Sequence, residues 1–265
     1  MDKAGKQYWD QIWGGLPPPD AFNPQGRGAR YLRDREFAQL FRVALAGLPA
    51  NSVVLEAGAA DSSILPHFAG LGHSIIGVDY SDIGCKRLRE RLGAFSAKVV
   101  CCDIFDPPAS VLQVADLVIS VGLVEHFTDT RSCVSALARF VRPGGRLLTI
   151  IPNMQGSVGF VQKLLAPSVY KVHVPLSPWD LRKAHEEAGL TIDQTSYLMA
   201  AEFGVVNWHE PGGGRLTTLL RRIAAAGFER MSRVASVVDQ HICRLPRGRA
   251  FSPYCVVLAS VDPPG

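Results

Sequence analysis

The sequence lacks long hydrophobic runs, a strong charge of either sign and closely spaced cysteine pairs. No apolar segment approaches the ~20 residues needed to cross a bilayer, so we expect no membrane span. The 28 basic and 24 acidic residues leave a net charge of +4, too small to indicate nucleic-acid binding. None of the six cysteines forms a C-x-x-C pair, and no secretory signal pattern opens the chain. We therefore expect reduced thiols and a cytoplasmic protein.

Metal-binding spacings are also missing. The seven histidines are scattered, and none are arranged as H-x-H or H-x-x-x-H. The sequence therefore predicts no metal site.

Short, continuous apolar runs alternate with helical patterns through most of the chain. The runs include "SVVLEAG", "SIIGVDY", "AKVVCCDI", "ADLVISVG" and "GRLLTIIPN". Continuous rather than alternating apolar runs are typical of strands covered by helices on both faces. The pattern predicts one α/β domain over residues 1–265, with a doubly wound, mostly parallel, Rossmann-like sheet.

Three segments lie outside this alternation. Residues 1–30 carry Trp9 and Trp13 and then Gly/Pro-rich turns, which is typical either of a helix packed on the core or of a lid over a pocket. We favour the lid. Residues 153–177 and 201–250 are predicted to be insertions that shape a substrate pocket.

Three successive predicted strands end in an acidic residue: Glu56, Asp79 and Asp103. The carboxyl ends of parallel strands share one edge of the sheet, so these carboxylates are expected to line one crevice. Asp79 follows Glu56 by 23 positions, the spacing of an acid that accepts hydrogen bonds from ribose hydroxyls. Asp103 is placed to accept from an exocyclic amine. The acids therefore predict a nucleoside site.

The loop after the first strand argues against a phosphate-bearing cofactor. A nicotinamide dinucleotide site requires G-x-G-x-x-G, whereas the window from Gly58 reads "GAADSS". Asp61 would repel a pyrophosphate, and Glu56 has the right charge for an ammonium group. The small residues Gly58 and Ala60 allow the backbone to approach a ligand closely. A ligand with a ribose, an adenine and an amino acid fits better.

Five motifs of the sequence resemble those of a known family. "VVLEAGAADSS", "GVDYS", "CDIFD", "ISVGLVEHF" and "FVRPGGRLLTIIPN" resemble, in order, the motifs of class I S-adenosylmethionine-dependent methyltransferases, over roughly residues 51–190. The likeness is strongest to small-molecule enzymes with an "EHF"-type motif after the fourth strand. One departure is visible, because Ala60 and Ser62 replace the second and third glycines of the family's loop.

The resemblance implies a set of cofactor contacts. Glu56 and Gly58 would lie at the methionine end, Asp79 would hold the ribose, and Tyr80 would lie beside the adenine with Asp103 and Ile104. Backbone of Ser120, Val121 and Gly122 would lie near the sulfonium. Arg30 and Tyr31 would meet the methionine carboxylate if the N-terminal segment folds over the cofactor.

His126 is the predicted catalytic base. It follows the fourth strand, and an imidazole with an ordinary pKa of ~6.5 suits proton abstraction from an oxygen acceptor. A structural histidine beside the next helix is the alternative, and Glu125 either orients His126, binds substrate or begins a helix. The further predicted substrate-binding residues are Asn153, Tyr170, His173, Trp9, Trp13 and Trp208.

The sequence thus favours methyl transfer from S-adenosylmethionine to a small organic molecule in secondary metabolism, with oxygen slightly favoured over nitrogen. Neither a nucleic acid nor a membrane is expected as a partner, and a monomer and a homodimer remain open. Two alternatives stay open as well: a nicotinamide-dependent oxidoreductase on the same fold, and a non-catalytic protein that binds the cofactor.

Overall fold

A computed structural model describes residues 1–202, 204, 206 and 215–263. The strands are β1 (Val53–Ala57), β2 (Ser74–Asp79), β3 (Ala97–Cys101), β4 (Ala115–Val121), β5 (Val141–Pro152), β6 (Thr191–Leu198) and β7 (Tyr254–Ser260). The helices are α1 (Lys6–Gly15), α2 (Leu32–Leu45), α3 (Leu65–Gly70), α4 (Asp82–Leu92), α5 (Thr130–Ala138), α6 (Ser157–Leu165), α7 (Pro167–Lys171), α8 (Pro178–Glu187) and α9 (Arg215–His241).

All seven strands belong to one sheet, in the order β3-β2-β1-β4-β5-β7-β6. The first five strands pair in parallel, and β7 runs antiparallel between β5 and β6. The strand order reverses at β1 and β4, and this switch point is where ligands bind in doubly wound sheets. The predicted α/β, doubly wound, mostly parallel sheet is confirmed.

Apolar side chains cover both faces of the sheet. Buried residues of α2, α3 and α4, such as Phe41, Phe68 and Leu88, pack on one face. Those of α5 and α8, such as Leu137 and Leu181, pack on the other. Both faces of the central strands are therefore shielded from water, which explains their continuous apolar sequence.

The N-terminal segment lies over the carboxyl edge of the sheet. Asp2 forms an antiparallel bridge with Phe127, and the Lys3 amide donates to the His126 carbonyl at 2.8 Å. Helix α1 packs against α4. Its contacts include an ion pair between Lys6 and Asp82, whose Nζ and Oδ2 atoms are 2.8 Å apart. The first 15 residues therefore cover the switch point.

Other segments follow their local sequence signals. Helix α8 begins with a capping box of Ser177 and Asp180, with Pro178 in its first turn. Residues 157–171, within a predicted insertion, form α6 and α7. Within the described part of the chain, no helix is both long enough and apolar enough to span a bilayer.

Candidate cofactor and acceptor site

The loop after β1 runs close to β2. The amides of Gly58 and Ala59 both donate to the Val78 carbonyl, at 2.9 and 3.1 Å. Gly58 has a φ of 75°, and a Cβ atom at this position would lie 3.3 Å from Leu123. Glycine is therefore required at position 58, whereas Ala60 is accommodated as a buried residue.

Glu56 is buried at the end of β1, and its Oε2 atom accepts a hydrogen bond of 2.5 Å from the Ser62 hydroxyl. Desolvation raises the pKa of this carboxyl to about 7, against the lowering effect of that hydrogen bond. Ser62, which replaces a family glycine, therefore orients the carboxylate. A buried carboxyl of this kind favours a cationic ligand group that restores its charge.

The Asp61 carboxylate is paired with two arginines of α4. With a φ of 51°, Asp61 directs its carboxylate to α4, where Arg87 Nη2 lies 2.6 Å from Oδ2 and Arg91 Nε 2.9 Å from Oδ1. These ion pairs hold Asp61 in the left-handed backbone conformation, which glycine adopts more readily than other residues.

Asp79 is also buried, at the end of β2. Its carboxylate accepts hydrogen bonds from the amides of Ala60, at 3.1 Å, and Ser81, at 2.8 Å. Desolvation raises its pKa to about 6 despite these bonds. The next side chain, Tyr80, donates its hydroxyl hydrogen to Asp2 at 2.6 Å, which joins the crevice to the N-terminal segment.

Two cavities meet at this edge of the sheet. The first, about 350 Å³, reaches Glu56 at the end of β1 and Val121 and Gly122 at the end of β4. The second, about 280 Å³, reaches Asp103 and Ile104 after β3. They share the lining residues Gly58, Asp79, Tyr80 and Leu123. The predicted acids thus line one continuous, two-part crevice, with Asp79 at the junction.

Two predicted cofactor contacts lie elsewhere. Arg30 stacks on the Tyr31 ring, with its guanidinium carbon 4.3 Å from the ring centre, and neither residue lines the two cavities. Arg33 and Tyr254 line the first cavity instead. Neither residue could be predicted from the sequence, because the rotation of α2 and the position of β7 decide which side chains face the crevice. Ser120 is fully buried and also does not line either cavity.

Beside the crevice lies a buried group of three titratable side chains, Glu125, His126 and His173. Glu125 and His126 belong to a short 3-10 helix after β4, and the Glu125 carbonyl accepts a hydrogen bond from the Val174 amide. His126 Nε2 is 3.9 Å from Glu125 Oε1, and the two imidazole centres are 4.5 Å apart. We call these three residues the acid–base cluster.

Burial sets the protonation of the acid–base cluster. Desolvation raises the pKa of Glu125 to about 8 and lowers that of His173 to about 4. It also lowers the pKa of His126. All three groups are therefore neutral near pH 7. Their ligand atoms lie within 4.8 Å of one another, a spacing that a metal ion could occupy, although the sequence spacing predicted no metal site.

Trp9 separates the acid–base cluster from the first cavity. Its ring contacts His126 edge to face, with centres 5.0 Å apart, and stacks on Trp13 at 6.0 Å. Trp9 and Trp13 both line the first cavity, whereas His126 does not. The predicted base therefore lies directly behind an aromatic side chain of the N-terminal segment.

The remaining predicted substrate contacts lie away from the two cavities. Asn153 is buried, and its amide donates to the carbonyls of Arg249 and Ser252, which is a structural role. Tyr170 lines a separate surface groove beside Lys163. Trp208 lies outside the described residues.

Known proteins resemble this chain in sequence and in fold. Residues 55–149 match the family described as a methyltransferase domain. A ubiquinone biosynthesis O-methyltransferase of Klebsiella pneumoniae is 26% identical over 200 residues, which covers 74% of this chain and 77% of the relative.

Solved structures agree on the fold. A sarcosine dimethylglycine methyltransferase structure from Galdieria sulphuraria superimposes with a TM-score of 0.60 at 15% identity, covering 97% of this chain and 98% of the other. The cyclase SpnF superimposes with a TM-score of 0.62 at 13% identity, covering 100% and 97%. At these identities the likeness shows the architecture alone.

The domain match, the relatives and the two-part crevice at the switch point agree with one another. The residues there also suit the cofactor, because burial raises the pKa of Glu56 to about 7, which favours a cationic partner, and the Asp79 and Asp103 side chains offer hydrogen-bond acceptors at the cavity walls. The chain is a class I S-adenosylmethionine-dependent methyltransferase.

Proposed function

We propose that this enzyme methylates a hydroxyl oxygen of a small organic acceptor in a biosynthetic pathway. The observation that carries the proposal is the acid–base cluster next to the end of β4. An oxygen nucleophile has a proton to lose, and this cluster offers imidazole nitrogens to take it. The O-methyltransferase relative from Klebsiella pneumoniae supports the same acceptor atom.

The carboxylates of the crevice would bind the cofactor by its polar groups. Glu56 would pair with the ammonium group, Asp79 would accept from the ribose hydroxyls and Asp103 from the adenine amine. Arg33, which lines the first cavity, would pair with the carboxylate. When bound, the cofactor supplies an electrophilic methyl carbon on a sulfonium.

His126 would take the acceptor's proton through Nε2. Its Nδ1 atom lies 2.8 Å from the Val172 carbonyl, which can only accept, so Nδ1 carries the hydrogen and Nε2 a lone pair. The Trp9 ring packs against the His126 ring, between it and the first cavity, so we infer that the acceptor displaces Trp9. Residues 1–15 would then act as a lid that excludes water from the reaction.

The test uses matched acceptors. The enzyme is incubated with cofactor carrying a deuterated methyl group and with pairs of small molecules that differ only in a hydroxyl or an amine. We expect the label, measured by mass spectrometry, on hydroxyl compounds. We also expect His126→Gln to lower kcat by roughly 100-fold. The affinity for S-adenosylhomocysteine should stay unchanged.

Two results would contradict the proposal. Label on the amine partners alone would indicate N-methylation. Saturable binding of S-adenosylhomocysteine without transfer to any acceptor would support a non-catalytic role. An exposed histidine, His241, provides the matched control, because His241→Gln should change neither kcat nor affinity.

A further inference from the structure

Both imidazoles of the acid–base cluster are held in the same way. His126 Nδ1 lies 2.8 Å from the Val172 carbonyl and His173 Nδ1 lies 2.6 Å from the Val169 carbonyl. Because a carbonyl only accepts, each neutral ring carries its hydrogen on Nδ1 and a lone pair on Nε2. Two fixed proton acceptors therefore lie in one buried pocket, and the proposed reaction uses only the first.

Glu125 lies close to both imidazoles without forming a hydrogen bond to His126. Its Oε1 atom is 3.9 Å from His126 Nε2, about 1 Å beyond a hydrogen bond. The ligand atoms of all three side chains lie within 4.8 Å of one another. Oε2 is buried and has no hydrogen-bond partner within the described chain. A buried carboxyl with an unpartnered oxygen is costly unless that oxygen has a use.

The three members of the cluster differ in their exposure to solvent. Glu125 is 1% exposed, His126 3% and His173 9%. The backbone on both sides is fixed, since Lys3 Nζ donates to the His173 carbonyl at 2.6 Å and the Val174 amide donates to the Glu125 carbonyl at 2.6 Å. His173 is therefore the member of the cluster nearest to solvent.

We propose that Glu125 and His173 relay the acceptor's proton from His126 to solvent, a role that rests on the oxygen methylation proposed above. The acceptor O–H bond breaks and its proton goes to His126 Nε2. The oxygen electron pair forms the new O–C bond, and the electrons of the broken C–S bond remain on sulfur. Protonated Glu125 then takes the proton from His126 on one oxygen and gives the proton on its other oxygen to His173 Nε2, which releases it to water.

The relay resets the base for the next turnover. Without it, an imidazolium would be trapped in a buried site, where a charge without a partner is costly. Other titratable groups that act on the cluster are Asp2 and Lys3 from the N-terminal segment, Cys133 from α5 and Cys255 from β7. The raised pKa values of the two thiols keep them neutral, so they do not compete as bases.

Chemical rescue separates a relay from a structural role. His173→Ala leaves a space that free imidazole can enter, whereas His173→Gln fills the space without a basic nitrogen. We expect both variants to lower kcat roughly tenfold or more on a hydroxyl acceptor, with unchanged affinity for S-adenosylhomocysteine. Added imidazole should restore His173→Ala but not His173→Gln. Full activity of His173→Gln, or no rescue of His173→Ala, would overturn the relay.

A second measurement does not depend on activity. In protein labelled with ¹⁵N-histidine, Glu125→Gln should change the Nε2 chemical shifts of both His126 and His173. An unchanged His173 signal would overturn the relay even if oxygen methylation is correct, whereas absence of oxygen methylation would count against the proposed function alone. Elemental analysis tests whether a metal ion occupies the acid–base cluster instead. A stoichiometric divalent metal that is lost in His173→Ala would identify the cluster as a metal site and overturn the relay.

Discussion

At the scale of single residues, the chemistry of the crevice depends on carboxyl groups whose pKa values are raised by burial. Glu56 and Asp79 lie at neighbouring strand ends and have pKa values raised to about 7 and about 6 by desolvation. A cationic or hydrogen-bond-donating ligand restores the ionised form that desolvation opposes. Cofactor binding should therefore be coupled to loss of protons.

This coupling gives a pH dependence with a defined sign. Below pH 7 free Glu56 is protonated and must lose a proton to pair with an ammonium group, so affinity for S-adenosylhomocysteine should rise with pH and level off above about 7. Isothermal titration in buffers of different ionisation enthalpy measures both the affinity and the protons released. Glu56→Gln should remove the pH dependence near 7 and weaken binding by roughly tenfold or more. Exposed Glu90→Gln is the control, and a retained pH dependence in Glu56→Gln would contradict the assignment.

Two neighbouring arginines provide a second test. Arg33 lines the first cavity, whereas Arg30 stacks on Tyr31 outside it. We expect Arg33→Gln to weaken cofactor binding by roughly tenfold, the value of a charged hydrogen bond, and Arg30→Gln to leave the dissociation constant unchanged. Fluorescence titration with S-adenosylhomocysteine measures both. The reverse ranking would restore the sequence-based prediction.

The site residues that could be predicted from sequence all lie at the ends of parallel strands. Glu56, Asp79 and Asp103 were found because parallel strands end on the same edge, which requires no knowledge of side-chain packing. Arg33 could not be found this way, because its direction depends on how α2 rotates on the sheet. The covering of His126 by Trp9 likewise depends on where the N-terminal segment lies.

At the scale of elements, α1 is attached to the site without any buried residue of its own. It buries no residue completely, and its contacts with α4 and the preceding residue include the Lys6–Asp82 ion pair and the hydrogen bond from Ser81 to Asp10. Exposed ion pairs contribute little to stability. The sequence predicted a lid from aromatic residues and turns, but α4 as its docking site required tertiary structure.

This weak attachment predicts a local response to ligand. Hydrogen exchange of residues 6–15 should be fast in the free protein and slower with S-adenosylhomocysteine, because a ligand in the first cavity contacts Trp9 and Trp13. Mass spectrometry of exchanged peptides measures this. Peptides from α8, which lines neither cavity, serve as the internal control and should not change. Equal protection of both helices would indicate global stabilisation and contradict the lid.

At the scale of the whole molecule, buried histidines link folding to acidity. His185 on α8 is fully buried, with Nδ1 2.8 Å from the Leu181 carbonyl and Nε2 3.0 Å from the Thr149 hydroxyl. Desolvation lowers its pKa to about 4, below the ~6.5 of an unfolded chain. The unfolded state therefore binds the proton first, and stability is lost as the pH falls from about 6.5 towards 4.

Replacing His185 should reduce this acid sensitivity. Between pH 7 and pH 5, His185→Gln should lose about 2 kcal/mol less of its free energy of unfolding than the native protein does. Urea unfolding at the two pH values measures the difference. The exposed control His241→Gln should retain the native loss. A variant with the native pH dependence would show that His185 is not the group responsible.

The position of β7 has a consequence for how the protein is built. Among the residues that the structure describes, β6 pairs with β7 alone, and β7 connects β6 to β5 in the sheet. During synthesis, strands β1–β5 can therefore form the parallel part of the sheet before β6 has a strand to pair with. Until residues 254–260 have been synthesised, the first cavity lacks its lining residue Tyr254. The nascent enzyme therefore has an incomplete cofactor cavity.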